Sequence, residues 1–323
     1  PDNASNKDVT WSSSDTSVAT VTNTGSVKAV KNGSAVITAK TDNGLTAQCT
    51  VTVTTPISSF SVKPAKTKTM DIDGTFTITA KIYPANCNDK TLLYSSSNED
   101  VAVVDENGTV TAVSAGTAKI TVTAKSNPAK TRTITVKVRP VKSVITYRKA
   151  TTDGIVLEWD LSDYADGYQV YRYNKSTKKY QKVATVKTNT YTDKKLKTAT
   201  VYQYKVRAYR KSGKKTVTGK YSNVIKAATS PQKVTAVKAK RVKSKVKLTW
   251  KKVKGADGYE IYRATSKKGK YQKIKTLKKG TIVSYTDGKA KKGKTYYYKV
   301  RAVKNAGKTS VKGTASNAVR CGK

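Results

Sequence analysis

The chain repeats itself at two different spacings, and these two periods limit what it can fold into. WSSSDTSVATVTNTGSVKAVKNGSAVIT, starting at Trp11, pairs without a gap with YSSSNEDVAVVDENGTVTAVSAGTAKIT, starting at Tyr94, at an offset of 83. From Ser12 to Thr38 this gives 14 identities in 27 positions, among them Val18/Val101, Gly25/Gly108, Gly33/Gly116 and Ile37/Ile120. Further along, Trp159 pairs with Trp250, and ADGYQVYR at 165–172 with ADGYEIYR at 256–263, at an offset of 91. After a three-residue insertion, Tyr191-Thr192-Asp193 matches Tyr285-Thr286-Asp287, and YKVRA at 204–208 matches YKVRA at 298–302. Similarity at a fixed offset marks repeated structural units. Units of about 90 residues divide the chain into four small cores, since single cores rarely run past roughly 200 residues.

The pattern inside each unit is that of a strand. Val246, Leu248 and Trp250 alternate with Lys245, Lys247 and Lys251, and Tyr202, Tyr204, Val206 and Ala208 alternate with Gln203, Lys205 and Arg207. Period-two alternation sends one set to a core and the other to water. Asn43-Gly44, Asn107-Gly108, Asp153-Gly154 and Asp287-Gly288 interrupt the runs as hairpin turns do. Scarce Leu and Met beside abundant Thr, Val and Tyr favour pleated strands over helices. The expectation is an all-β chain of four serial β-sandwich modules, elongated, with joints near Thr55-Pro56, Arg139-Pro140 and Ser230-Pro231 where proline stiffens the backbone. The modules are 1–55, 56–140, 141–230 and 231–323.

Two families are recognisable in these residues. WSSS, SVATV and NGSAVIT in residues 1–55, with their copies in 56–140, resemble the bacterial immunoglobulin-like group 2 domain. Residues 141–230 and 231–323 resemble fibronectin type III domains of the kind found in clostridial surface and secreted proteins. The resemblance implies that Trp159 and Trp250 are the buried core tryptophans. It also implies that Tyr202 and Tyr296 hold the tyrosine-corner position, whose hydroxyl bonds back to nearby backbone. Trp11 is expected in the core of the first module. Such domains serve as spacers, adhesins and enzyme accessories alike, so the resemblance specifies fold more than function. Neither fibronectin-like module contains Arg-Gly-Asp, which leaves integrin binding by that route unsupported.

The offset of 83 also places Pro1 opposite Pro84, so residues 57–83 of the second module have no match in the first. About two strands are expected to be absent, leaving an apolar face and a backbone edge open. The chain is therefore expected to be a fragment, its missing strands supplied by upstream residues or by a neighbouring chain through donor-strand pairing.

Charge is graded. The four modules carry net charges of 0, +4, +14 and +26, for a total of +44. With 54 lysines and only 10 arginines, this surface suits non-specific ammonium contacts better than bidentate recognition. A solvated lysine coat that maintains solubility is the plain explanation. The sharper one is attraction of polyanions by counterion release, tight at low salt and weak at high salt. The candidate residues are Lys243, Lys245 and Lys247 on one strand, and the pairs Lys251/Lys252, Lys267/Lys268, Lys278/Lys279 and Lys291/Lys292 in loops. The expected partners are wall teichoic acid or a host glycan, or else a host surface protein, with nucleic acid bound only non-specifically. The location is expected to be extracellular, at the cell surface or secreted. No apolar run reaches the roughly 20 residues that span a bilayer, so membrane insertion is not expected. With no sorting motif or apolar tail after the last module, electrostatic attachment to the producer's own wall is the expected anchoring mode.

No catalytic, cofactor-binding or metal-ligating residue is assigned. The chain has no histidine, the usual general base near neutral pH and a common metal ligand. Asp71-Ile72-Asp73-Gly74 opens like a calcium loop but lacks the later acidic ligand. Asp160, Asp163 and Asp166 read as turn formers. Cys49 aligns with Ile134 and is expected in the core, Cys87 aligns with Ala4 in a loop, and Cys321 lies in a tail open to intermolecular pairing. Tyr296 and Tyr298 are expected inward and Tyr297 outward, so they make a poor stacking platform. Two functional readings remain beside a stalk and adhesion region: the accessory tail of a secreted glycan- or protein-degrading enzyme, and a specific binder of a host protein.

Overall fold

A computed structural model describes residues 5–322, and within them every regular element is a β-strand. The pairings of Pro1 with Pro84 and of Ala4 with Cys87 fall outside the described residues. The chain divides into two compact units, residues 1–138 and 139–323, each holding two of the expected modules.

In the first unit, the first module consists of β1 (Val9–Ser13), β2 (Ala19–Val21), β3 (Val27–Ala29), β4 (Gly33–Thr41) and β5 (Thr46–Val53). Its sheets are β1-β4-β5 and the hairpin β2-β3. The second module opens with β6 (Ser59–Lys63), β7 (Thr67–Asp71), β8 (Thr75–Thr77) and β9 (Thr79–Tyr83). It continues with β10 (Leu92–Ser96), β11 (Ala102–Val104), β12 (Thr109–Ala112), β13 (Gly116–Ala124) and β14 (Asn127–Arg139). Strands β10 to β14 repeat β1 to β5 in order and register, Ile37 opposite Cys49 as Ile120 is opposite Ile134. The second module adds β7 beside β14, β8 beside β12, and the pair β6-β9. The stretch unmatched in the first module thus holds four short strands, not two, shared among three sheets.

That difference decides what is buried. Phe60, Val62, Met70 and Ile78 of the extra stretch close the second core over Val110, Ile120, Ile134 and Val136. Without them the first core contracts to Val18, Ala19 and Ala35, with Val51 and Val53 packed alongside. Val27 is 42% exposed where its counterpart Val110 is fully buried. Trp11 is 37% exposed, so it is not a core residue as expected: its ring lies across Gly25, where an added Cβ would come within 2.7 Å of it. Gly25 and its copy Gly108 adopt φ of 80° and 76°, and Tyr94 covers Gly108 as Trp11 covers Gly25. A side chain at either position would meet both backbone strain and a ring. Cys49 is likewise exposed instead of buried, because nothing in residues 5–55 covers the face that Ile134 shares with the extra strands.

In the second unit, the third module comprises β15 (Ile145–Ala150), β16 (Ile155–Trp159), β17 (Gly167–Asn174), β18 (Lys179–Val186), β19 (Thr190–Asp193), β20 (Val201–Ser212), β21 (Lys215–Thr218) and β22 (Ile225–Ala228). The fourth comprises β23 (Lys238–Val242), β24 (Lys245–Thr249), β25 (Gly258–Ala264), β26 (Gln272–Leu277), β27 (Ser284–Asp287), β28 (Tyr296–Ala306), β29 (Thr309–Lys312) and β30 (Val319–Cys321). Each stacks a three-stranded sheet, β15-β16-β19 or β23-β24-β27, on a five-stranded one in which β20 or β28 takes three partners. Trp159 and Trp250 are buried and meet Tyr168 and Tyr259 edge-on at 5.4 and 5.3 Å. The Tyr202 and Tyr296 hydroxyls accept from the backbone of Lys197 (2.8 Å) and Lys291 (3.4 Å), as the tyrosine-corner resemblance implies. Asp287-Gly288 is not a hairpin: Asp287 ends β27 with its carboxylate buried.

Both cores enclose the same polar cluster. Asp193 Oδ2 accepts from Tyr204 (2.7 Å) and Arg172 (2.7 Å), and Asp287 Oδ2 from Tyr298 (2.9 Å) and Arg263 (2.9 Å). Burial, reinforced by the carboxylate, pushes both tyrosine hydroxyls far above their usual range, so they remain donors. Cys321 pairs opposite Tyr296 and is buried, and Cys87 is buried as well. The expectation of an exposed tail thiol is therefore corrected: β30 closes the fourth core and takes Cys321 inside.

The joints within the two units differ in chemistry. Between the first and second modules, Asn32 Nδ2 donates to Asn86 O (2.6 Å), Thr55 Oγ1 to Asn32 Oδ1 (2.5 Å) and Thr55 N to Asn88 Oδ1 (2.6 Å). Between the third and fourth, Ala228, Ala306 and Val311 are buried against one another beside Tyr147, Ala150 and Val201.

Tyr204→Phe and Tyr298→Phe each strip one donor from a buried carboxylate and are expected to cost about 1–3 kcal/mol, read by urea unfolding of the 139–323 unit. In a thiol-labelling experiment on the folded chain, Cys49 is expected to react rapidly, and Cys87 and Cys321 only on unfolding. Protection of Cys49 would contradict the open first module.

Candidate polyanion-binding surface

All eleven lysines singled out by sequence are exposed, and the fold sorts them into one sheet face and the two ends of the fourth module. On the face, β23 adds what sequence reasoning missed. Lys240 lies directly opposite Lys247, Lys238 opposite Thr249, and Thr286 flanks Lys247 on the other side. The outward side chains of this sheet are therefore Lys238, Lys240, Lys245 and Lys247 among hydroxyl residues and the exposed Val242, with no acid. The alternation Lys238-Ala239-Lys240 carried the signal; only the strand pairing shows that it joins Lys245 and Lys247.

The turn after β23 holds Lys243, whose positive φ of 55° fits a tight two-residue reversal. At this same end lie Lys267 and Lys268, in the β25–β26 turn, and Lys291 and Lys292, in the β27–β28 connection. Arg241 fastens this end together. Its guanidinium donates to the carbonyls of Lys294 (2.7 Å), Gly322 (3.1 Å), Lys291 (3.3 Å) and Ser244 (3.5 Å). Lys251, Lys252, Lys278 and Lys279 lie at the opposite end, the one that meets the third module through Gly255, whose Cβ position falls 2.9 Å from Ala199. The strands thus hold the loop lysines in two groups.

The fourth module has three acidic residues, and all three are engaged internally. Asp287 holds Arg263 and Tyr298. Asp257 accepts from Lys304 (2.9 Å) and from the backbone of Asn305 (2.8 Å). Glu260 is buried and takes Tyr262 (2.6 Å), Lys273 (3.2 Å) and Lys312 (3.4 Å). Burial alone would raise the Glu260 pKa, but the Tyr262 hydroxyl and the two ammonium groups outweigh it and hold it below its ordinary value. The same contact, together with burial, pushes the Tyr262 hydroxyl up to about 12.

The third module places an interleaved stack on its outer face. Arg207 lies over Tyr171 (5.3 Å) and Tyr221 (4.9 Å), and Lys205 over Tyr221 (3.5 Å) and Tyr180 (4.6 Å). Tyr171 and Tyr221 also meet edge-on at 5.1 Å. These rings are occupied by the chain's own cations, which answers the idea of a free stacking platform. Tyr296 and Tyr298 are buried and Tyr297 half-buried, as alternation predicts.

The remaining candidates resolve into structure. Asp71 to Gly74 is the tight turn between β7 and β8, closed by Gly74 N to Asp71 O (3.2 Å). Of the acidic trio, Asp166 pairs with Arg210 (2.9 Å) and accepts from Lys211 N (2.6 Å), while Asp160 and Asp163 are exposed in the loop. Among the described residues, no group of three or more His, Cys, Asp or Glu is placed to hold a metal ion.

With both pairs of sandwiches described, the chain is defined as a tandem β-sandwich protein. Residues 1–51 and 56–134, within the first two modules, match the model of the bacterial Ig-like domain (group 2). An uncharacterized protein of Clostridium acetobutylicum is 38% identical over 123 residues, which are 38% of this chain and 13% of that protein. Exoglucanase B of Cellulomonas fimi is 31% identical over 222 residues, covering 63% of this chain and 18% of the relative. Amylopullulanase of Thermoanaerobacter thermohydrosulfuricus is 43% identical over 82 residues, covering 25% and 5%. The chain thus spans less than a fifth of the length of these three proteins. Among solved structures, the FN1-FN3 domains of chicken CNTN1 are similar over 82% of this chain and 98% of that one, at 17% identity and a TM-score of 0.36.

Direct opposition of Lys240 and Lys247 is unfavourable. Lys240→Glu is expected to stabilise the 139–323 unit by about 0.2–1 kcal/mol in low salt, and the gain should shrink as salt rises.

Proposed function

We propose that this region is a non-catalytic, extracellular spacer and attachment segment of a larger protein, whose lysine-rich third and fourth modules hold an anionic polymer of the cell wall or of host glycans. The observation that carries this reading is the state of the fourth module's acids. All three carboxylates are tied to internal partners, so none of them is left to neutralise the lysines of the sheet face and the module ends. A neutral coat for solubility needs only mixed charge. A single-sign surface of this density attracts a polyanion and gains free energy by releasing its counterions. An extracellular site is supported by the match of the first two modules to the bacterial Ig-like domain. Among the described residues, no helix is long and apolar enough to cross a membrane.

A second reading, the accessory region of a secreted glycan-degrading enzyme, draws support from similarity to proteins named exoglucanase and amylopullulanase. The two readings separate by ligand charge. On immobilised teichoic acid or heparin the chain is expected to be retained at low salt, with the logarithm of the binding constant falling linearly against that of salt concentration and retention lost by 1 M, where screening acts over about 3 Å. The variant Lys243→Glu/Lys291→Glu/Lys292→Glu is expected to weaken retention at least tenfold. Equal retention of this variant, or salt-resistant retention on neutral cellulose or starch in place of the anionic polymers, would overturn the first reading.

A further inference from the structure

The repeat at offset 94 places Arg301 where the third module has Arg207, yet the two guanidinium groups are treated differently. Arg207 is held on two sides: its Nε donates to Gln169 (2.9 Å), its Nη2 to the Tyr171 hydroxyl (2.8 Å), and the Tyr221 ring covers it. Arg301 keeps only the equivalent of Tyr171, the ring of Tyr262, at 5.4 Å. Ala315 replaces Tyr221, which removes the covering ring. Glu260 replaces Gln169, and its carboxylate is drawn to Tyr262, Lys273 and Lys312. Arg301 Nε is shut from solvent and has no hydrogen-bond partner among the described residues.

A cleft of about 520 Å³ lies against Arg301 at the joint between the third and fourth modules. Arg301, Lys312 and Thr314 line it from one side, and Thr151, Thr152 and Ser230 from the other. Each wall of the cleft is held within its own module. Gly313 is pressed against Pro231, whose carbonyl lies 2.6 Å from where a Cβ would stand, and Ser230 N donates to Thr151 O (2.8 Å). Two carboxylates border it: Glu260, 3.4 Å from Lys312, and Asp153, which accepts the Thr151 hydroxyl at 3.0 Å. What the cleft presents inward is a guanidinium, an ammonium and several hydroxyls. This donor set fits a compact oxyanion, because guanidinium matches phosphate and sulfate geometry better than a lone lysine does.

We propose that this cleft binds one tetrahedral oxyanion, the phosphate or sulfate group of an anionic chain, between the third and fourth modules. This rests on the reading of the region as a holder of anionic polymer and adds to it a single stoichiometric site, separate from the lysines of the face and far end. Bound there, the oxyanion lies between Arg301 and Lys312 of the fourth module and the hydroxyl side chains of the third.

The test is calorimetric titration of the whole chain with inorganic phosphate and with inorganic sulfate in 0.5 M sodium chloride, where loose attraction is screened. One saturable site is expected for at least one of the ions. R301Q is expected to weaken it at least tenfold. A315Y, which restores the ring that Tyr221 provides, is expected to abolish binding while the chain keeps its unfolding midpoint. The Lys243→Glu/Lys291→Glu/Lys292→Glu variant is expected to bind the small ion as the parent does, although it loses polymer retention. Competition by a glycerol phosphate polymer and by a sulfated oligosaccharide then tells which source fits. No saturable site for either ion, or undiminished binding by folded R301Q or A315Y, would overturn this proposal. Loss of polymer retention with the ion site intact bears only on the lysine surface.

Discussion

A β-sandwich exists only if two sheets cover each other, and this chain shows that constraint both met and unmet. The first and second modules share strand order and register, and half of the residues from Ser12 to Thr38, yet Val110 and Ile134 are buried where Val27 and Cys49 are exposed. What separates them is the stretch Ser59 to Tyr83, whose Phe60, Val62, Met70 and Ile78 form the missing half of the core. Apolar burial contributes roughly 25 cal/mol per Å² only when something arrives to exclude the water. Hydrogen-bonded pairing alone holds the first module's strands in register without giving them a full core.

In the second unit the same constraint is satisfied twice, and a polar device recurs at the centre of each core. Asp193 and Asp287 are buried charges that would be costly alone. Each is matched by an arginine and a tyrosine from neighbouring strands, so the carboxylate connects the two sheets. The repeated Tyr-Thr-Asp and YKVRA segments are the sequence trace of this cluster.

Much of the architecture could be read from residues alone. Repeat offsets located the modules, and alternation sorted Trp159, Trp250, Tyr204 and Tyr298 inward and the lysines outward. Other features escaped because they depend on partners distant in sequence. Trp11 and Cys49 look like core residues beside Tyr94 and Ile134, and become exposed only because their covering strands have no counterpart in residues 5–55. Cys321 looks like part of a tail until β30 pairs with β28. The lysine face was half visible: Lys245 and Lys247 stand on one strand, but Lys238 and Lys240 reach them only through pairing between β23 and β24.

The two seams respond differently to temperature. The joint of the second unit rests on Ala228, Ala306 and Val311, and apolar contact weakens on cooling as its driving force fades. The joint of the first unit is a chain of amide and hydroxyl bonds through Asn32, Thr55, Asn86 and Asn88, with little apolar surface to give it that dependence. In the cold, therefore, the lysine-rich pair of modules is the one whose seam loosens first, and the acid-balanced pair keeps its own.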